Sequence, residues 1–174
     1  MQYHEIGKTG MKVSSLSFGA SSLGGVFHDL KEKEGIQAVF TAVEAGMNFI
    51  DVSPYYRQYK AETVLGKALK DLPRDRYYLS TKVGRYGKDG VNLWDYSAKR
   101  ATESVYESME RLNIDFIDLI NVHDVEFADL NQVVNETLPA LVELREKGVV
   151  GHVGITDLQL ENLQWVNDLS PSGT

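Results

Sequence analysis

Five short apolar runs recur along the chain about every thirty residues, and the stretches between them carry helical spacing. The runs are LSFGA (16–20), NFIDVS (48–53), YYLSTKVG (77–84), FIDLINVH (116–123) and VVGHVGIT (149–156). That period is the length of a βαβ unit, so the pattern predicts parallel strands joined by right-handed helical crossovers. The runs are apolar almost throughout, as strands are when helices cover both faces of their sheet. Two α/β architectures satisfy this, a doubly wound open sheet and a (β/α)8 barrel. The GxGxxG fingerprint that would favour the first is absent. The 174 residues are short for the second, which takes about 250.

The intervening stretches are specific enough to place helices. In GIQAVFTAVEAG (35–46), Ile36, Val39, Phe40, Val43 and Met47 share one face and Gly46 is placed to close the helix. AETVLGKALKDL (61–72) turns Val64, Leu65 and Leu69 inward and meets Pro73 as a stop. Ser97 can cap a helix carrying Ala98, Ala101, Val105, Met109 and Leu112. A helix over 131–147 ends at Gly148, and Pro139 inside it predicts a kink or a late start. A last helix begins near Leu158. Ahead of the first unit, residues 1–13 read as a hairpin with GKTG as its turn.

Composition removes several function classes. The net charge of −7 argues against a nucleic-acid partner held through phosphates. No run of about 18 apolar residues exists, so no membrane span is expected. MQYHEIGKTG has neither the basic nor the apolar segment of a signal peptide, and the chain has no cysteine; both fit a cytoplasmic protein. His4, His28 and His152 show no metal-ligand spacing. GASSLGG (19–25) is glycine-rich but lacks the Lys-Ser/Thr of a phosphate loop.

In either architecture chemistry gathers at the carboxyl ends of the strands. There the sequence places Asp51, Lys82, His123 and Thr156, with Tyr55 and Tyr56 in the loop beyond Asp51. Singly, each has a bland reading: a loop cap, a solvated lysine, a structural histidine. Jointly they make a proton-transfer set. A lysine ammonium beside a phenol favours the phenolate and lowers a pKa that is near 10 when free. A carboxylate on the neighbouring strand holds that ammonium, and an imidazole can bind the reacting oxygen. None of these groups moves a hydride, so a redox reaction would require a nicotinamide. Tyr86 and Trp94, in the long loop 84–96, could touch a substrate or simply cover the site.

With FIDVSPYY, LSTKVGRYG, INVHD and GHVGIT in this order, and IGKTGMKVS before them, the chain resembles the aldo-keto reductase family along essentially its whole length. FGASSLGGVF, HDVEF and GITDLQL are most similar to the aldose dehydrogenases of that family. The resemblance implies an α/β fold of (β/α)8 TIM-barrel type, truncated to about five β/α units with an N-terminal β-hairpin. Residues 1–174 would be a single domain lacking the C-terminal three units. It implies a catalytic tetrad of Asp51, Tyr56, Lys82 and His123, with the tyrosine five residues after the aspartate, which selects Tyr56 over Tyr55. It implies NAD or NADP as cofactor, touched by Asp51 and by the pair after the fifth strand. That pair is commonly Ser-Asn and here reads Thr156-Asp157. Arg57 stands where a glycine usually follows the tyrosine. The implied reaction is NAD(P)-dependent oxidation of an aldose at its anomeric carbon to a lactone. General NADPH reduction of aldehydes and ketones is the alternative, and so is a catalytically silent form acting by association. The partner is a small aldose or carbonyl compound, and open sheet edges would permit self-association.

Overall fold

The computed structural model describes residues 1–25, 31–87 and 93–170. His28, the middle of the 84–96 loop and most of the terminal SPSGT lie outside the described residues. The chain opens with an antiparallel hairpin of β1 (Tyr3–Glu5) and β2 (Lys12–Ser14). Asn48 clamps this hairpin to the main sheet: its side-chain oxygen accepts from Ser14 N at 2.7 Å and its amide donates to Lys12 O at 2.9 Å. Asn48 sits just ahead of a strand, so the hairpin closes the amino end of the sheet and leaves the carboxyl end free.

The main sheet holds β3 (Phe18–Gly19), β4 (Phe49–Asp51), β5 (Tyr78–Val83), β6 (Ile117–Val122) and β7 (Val150–Ile155), all parallel. The strands lie side by side in chain order, β3-β4-β5-β6-β7. A doubly wound sheet must reverse its order at a switch point, and this one does not. The architecture is therefore five β/α units of the barrel type behind a hairpin. The first expected strand shrinks to two residues, because the chain enters a 3-10 turn at Ala20–Gly24.

Among the described residues helices follow the strands: α1 (Glu32–Glu44), α2 (Lys60–Leu69), α3 (Ala98–Leu112), the one-turn α4 (Leu130–Gln132) with α5 (Leu138–Glu146), and α6 (Leu160–Leu169). α1 stops before Gly46, whose φ of +93° turns the chain out, so Met47 lies beyond the helix rather than on its face. Ser97 caps α3 by accepting from Arg100 N at 3.3 Å. The helix expected over 131–147 runs continuously through α4, a π turn at Val133–Thr137 and α5. Pro139 has no N–H for the carbonyl one turn back, and the wide turn ahead of α5 accommodates that loss.

Ile50, Leu79, Ile117 and Ile120 are fully buried between the sheet and the helices, each worth about 1.5–3 kcal/mol. One carboxylate is buried among them, which the helical pattern did not announce. Glu62 of α2 is 0% exposed; it accepts from Thr81 Oγ1 of β5 and from Arg111 Nε of α3, both at 2.7 Å. With both oxygens partnered, its burial ties two helices to the sheet. Among the described residues β3 and β7 each have one strand neighbour, so the sheet described has two edges. An apolar cavity of about 550 Å³ lies beside β7, lined by Leu138, Val153, Ile155, Leu160 and Val166 among others. Among the described residues no helix is long and apolar enough to cross a membrane.

α2 and α3 approach closely at Gly66. A Cβ there would lie 2.1 Å from Arg111 O and 2.9 Å from Leu112 Cα, both main-chain atoms. Gly66→Ala should therefore lower the unfolding free energy by about 1–3 kcal/mol, read as a reduced urea midpoint. An unchanged midpoint would refute this account of the α2–α3 contact.

Candidate active site

Register decides which strand-end residues meet. Asp51 of β4 pairs with Ser80 of β5, and Lys82 of β5 pairs with Asn121 of β6. Alternation puts Ser80 and Lys82 on one face, and Asn121 Nδ2 donates to Ser80 Oγ across it at 3.1 Å. Lys82 Nζ reaches both oxygens of Asp51 at 2.7 Å and Val52 O at 2.8 Å. An ammonium has three protons, and all three are used. The Lys82 side chain is only 6% exposed, so the carboxylate and the carbonyl replace the water it loses.

Tyr56 follows in a tight loop. Its N–H donates to Ser53 O at 3.1 Å, and Arg57, Gln58 and Tyr59 then take φ values of 56°, 53° and 67°. Three successive non-glycine residues in the left-handed region cost roughly 1–2 kcal/mol each. Arg57 thus carries a conformation that glycine adopts freely. The loop is tied down by Arg57 Nη1 donating to Gly25 O at 3.3 Å and by Tyr59 N donating to Pro54 O at 2.9 Å.

Lys82 Nζ lies 5.5 Å from the centroid of the Tyr56 ring, and the His123 ring stands perpendicular to that ring at 6.2 Å. Asp51, Tyr56, Lys82 and His123 therefore surround one space at the carboxyl ends of β4, β5 and β6. The ammonium does not lower the phenol's pKa as expected from sequence. Burial, and then the Asp51 and Asp124 carboxylates, push Tyr56 up to about 12. The expectation fails because burial disfavours the phenolate, and two carboxylates add to that effect where Arg85 alone opposes it. Tyr56 is a neutral hydroxyl at neutral pH.

His123 is 6% exposed, and burial is the main cause that lowers its pKa to about 4; Lys82 and Arg85 add to this, and Asp124 opposes it. Its Nδ1 lies 3.2 Å from Ser53 Oγ and its Nε2 lies 3.5 Å from Asp124 Oδ1. The main chain around it is fixed by the buried Tyr96, whose hydroxyl lies 2.8 Å from His123 O and 2.9 Å from Asp124 O. Tyr96 in turn packs on Gly84, where a Cβ would come within 2.4 Å of the ring.

Three residues of this site carry no distinct signal in the sequence: Ser53, Arg85 and Asp124. Arg85 Nη1 donates to Asp124 Oδ2 at 2.6 Å, and its guanidinium lies 3.5 Å over the Tyr55 ring and 4.6 Å over Trp94. Adjacency was the available clue, since Arg85 lies three residues beyond Lys82 and Asp124 directly follows His123. Tyr55 supports Arg85, and the buried Tyr86 accepts from Gly84 N at 2.9 Å. Trp94 is half-buried and stacks on Phe127 at 4.5 Å, at the rim of the site. His4 is exposed on the hairpin, and His152 lines a small cavity at the amino end of the sheet, both away from this site.

Thr156 and Asp157 follow β7. Thr156 Oγ1 accepts from Asp124 N at 2.9 Å, which leaves its hydroxyl proton to donate. That suits a carboxamide oxygen. Asp157 is already engaged: one oxygen accepts from Gln159 N and the other from Asn162 Nδ2 at 2.9 Å. It shapes the entry to α6 with both oxygens accepting. A carboxamide placed at the end of β7 would find a donor at Thr156 and no amide donor at Asp157.

Residues 15–172 match the family model described as the aldo/keto reductase family. The chain is 44% identical to L-galactose dehydrogenase of Arabidopsis thaliana, the match covering 100% of this chain and 54% of that protein. It is 36% identical to D-arabinose 1-dehydrogenase of Saccharomyces cerevisiae, covering 88% of this chain and 46% of that one. Among solved structures, the holo form of an aldo-keto reductase from Bacillus halodurans superposes with a TM-score of 0.85 at 31% identity, over 98% of this chain and 55% of that one. The chain spans about half the length of the curated relatives it matches.

The imidazole makes a pH prediction. Unfolded, His123 takes up a proton near 6.5; folded, it does so only near 4. Between those values the unfolded state binds the extra proton, so stability is whole above the window and falls as pH drops through it. Urea midpoints measured across the window should decline toward acid, and the decline should be shallower in His123→Phe. A His123 ring resonance titrating near 6.5 in the folded protein would contradict this.

Proposed function

The chain belongs to the aldo/keto reductase family, and from that premise we propose an NAD(P)-dependent oxidoreductase that oxidises an aldose at its anomeric carbon to the lactone, in the manner of L-galactose dehydrogenase. The observation that carries this reading is the meeting of Lys82, held by both oxygens of Asp51 at 2.7 Å, with Tyr56 and His123 at one end of one sheet. The identity to L-galactose dehydrogenase, 44%, supports an aldose as substrate.

A nicotinamide, when bound, supplies the hydride exchange that no side chain here can perform. The protein's residues handle the proton. Nε2 of His123 binds the oxygen that reacts, which orients the sugar. Tyr56 exchanges a proton with that same oxygen: the phenol donates it in reduction, and the phenolate takes it in oxidation. Lys82 Nζ stands 5.5 Å from the centre of the Tyr56 ring, and the two oxygens of Asp51 hold it in that place. Thr156 and Asp51 would hold the cofactor's reactive end. Asp157 acts through the turn it builds.

In this reading residues 1–174 are one domain holding five of eight β/α units, and the chain by itself presents part of a cofactor cradle. The two sheet edges and the occupied Asp157 carboxylate favour a second reading, in which this chain is silent and acts by association through those edges. Fluorescence titration of the chain with NAD and with NADP, followed by assay with L-galactose, separates the two. Cofactor binding with turnover supports the enzyme. No binding of either nucleotide, together with self-association on sedimentation, supports the silent form.

Two outcomes test the residue roles. Tyr56→Phe should lower turnover by about 10²–10⁴-fold with cofactor affinity nearly unchanged, while Tyr55→Phe, which keeps the stack on Arg85, should cost little. With Tyr56 protonated up to about pH 12, the active phenolate becomes more abundant as pH rises, so kcat/KM for aldose oxidation should climb from neutrality into the alkaline range. A flat profile there would remove Tyr56 from the role of base.

A further inference from the structure

We propose that Ser53 is a positioning residue that fixes the tautomer of His123, holding the proton on Nε2, where the reacting oxygen is bound. The inference rests on the catalytic reading above and adds to it a residue and a hydrogen-bond direction.

Ser53 lies just past β4 and is 0% exposed. Its Oγ accepts from Tyr55 N at 3.2 Å, so one lone pair is committed to the main chain of the tyrosine loop. The hydroxyl proton still needs an acceptor, since a buried donor left unpaired costs about 1–3 kcal/mol. His123 Nδ1, at 3.2 Å, is the further polar partner of Ser53 Oγ among the described residues. Were the imidazole to donate from Nδ1 instead, Ser53 Oγ would accept twice and its own proton would be stranded. With Ser53 donating, Nδ1 is the acceptor, and a neutral imidazole then carries its proton on Nε2.

The other side of the ring agrees. Asp124 Oδ1 lies 3.5 Å from Nε2, which favours a proton there without forming a short bond that would compete with a substrate. Asp124 is held in place by Arg85, at 2.6 Å from its other oxygen. The charged and titratable groups around the ring are thus Asp124 and Arg85 beside Nε2, with the Lys82–Asp51 pair and Tyr56 across the site, and burial keeps the ring itself neutral. Ser53 also accepts from Tyr56 N through its carbonyl at 3.1 Å. One residue therefore sets the place of the phenol with its main chain and the state of the imidazole with its side chain.

Nitrogen NMR of the His123 ring tests this on the chain without cofactor or substrate, so its result is independent of whether the chain turns over a sugar. The expected spectrum has a protonated, pyrrole-type Nε2 and a pyridine-type Nδ1 displaced by the hydrogen bond it accepts. Ser53→Ala should remove that displacement, and Ser53→Thr, which keeps the hydroxyl, should restore it. Ser53→Cys, close to serine in size and a weaker donor, should fall between them and serves if the alanine variant does not fold. A proton on Nδ1 in the unaltered protein, or an Nδ1 resonance indifferent to loss of the hydroxyl, overturns the proposal. Failure of the cofactor titration with the Nδ1 shift intact would instead count against the oxidoreductase reading alone.

Discussion

A lysine ammonium buried at the inner end of a strand is the constraint around which the carboxyl end of this sheet is organised. Moving such a charge out of water costs several kcal/mol unless its hydrogen bonds are replaced. Lys82 achieves this with three contacts, two from Asp51 and one from Val52 O. All three come from the neighbouring strand's end, so they exist only while β4 and β5 keep their register. A slip of one residue would turn Lys82 to the helix side of the sheet and leave Asp51 without its cation. The pair couples correct strand pairing to the presence of the site.

Around that pair the charges alternate. Asp51 and Lys82 stand on one side of the space, Asp124 and Arg85 on the other, and two neutral rings lie between them. Burial disfavours charge on both rings, which moves the phenol up and the imidazole down. The result is a phenol and an imidazole that are both uncharged at neutral pH, each able to share a proton with an oxygen placed between them. The loop that delivers Tyr56 reaches this place by spending three residues in the left-handed region, backbone strain of a kind that concentrates at functional sites.

The rest of the fold supports this end without taking part in it. The hairpin is clamped to the amino end by Asn48, and the Glu62 network joins α2, α3 and β5 on the helix side of the sheet. Among the described residues the edge strands β3 and β7 have one partner each, and apolar ground lies beside β7. The cluster around Lys82 lies at the ends of the central strands β4, β5 and β6, away from both edge strands.

Much of this was legible in the residues themselves. The thirty-residue period predicts the βαβ units, Gly46 and Ser97 mark helix boundaries and Pro139 an irregular turn through local backbone chemistry, and Asp51, Lys82 and His123 stand at strand ends by simple counting. These features depend on near neighbours in the chain, and periodicity and turn chemistry record near neighbours. The choice between an open doubly wound sheet and a barrel-type sheet was not legible in the periodicity, because both are written with the same alternation and differ only in which strand lies beside which; the resemblance carried by FIDVSPYY, LSTKVGRYG, INVHD and GHVGIT made that choice. Ser53, Arg85 and Asp124 escaped notice, since a serine, an arginine and an aspartate near strand ends are ordinary until His123 is found 3.2 Å from one and Tyr55 3.5 Å beneath another. The sign of the Tyr56 shift belongs to the tertiary structure as well. It is a sum over burial and over charges brought from 51, 85 and 124, and a sum of that kind is set by distances that only the folded chain possesses.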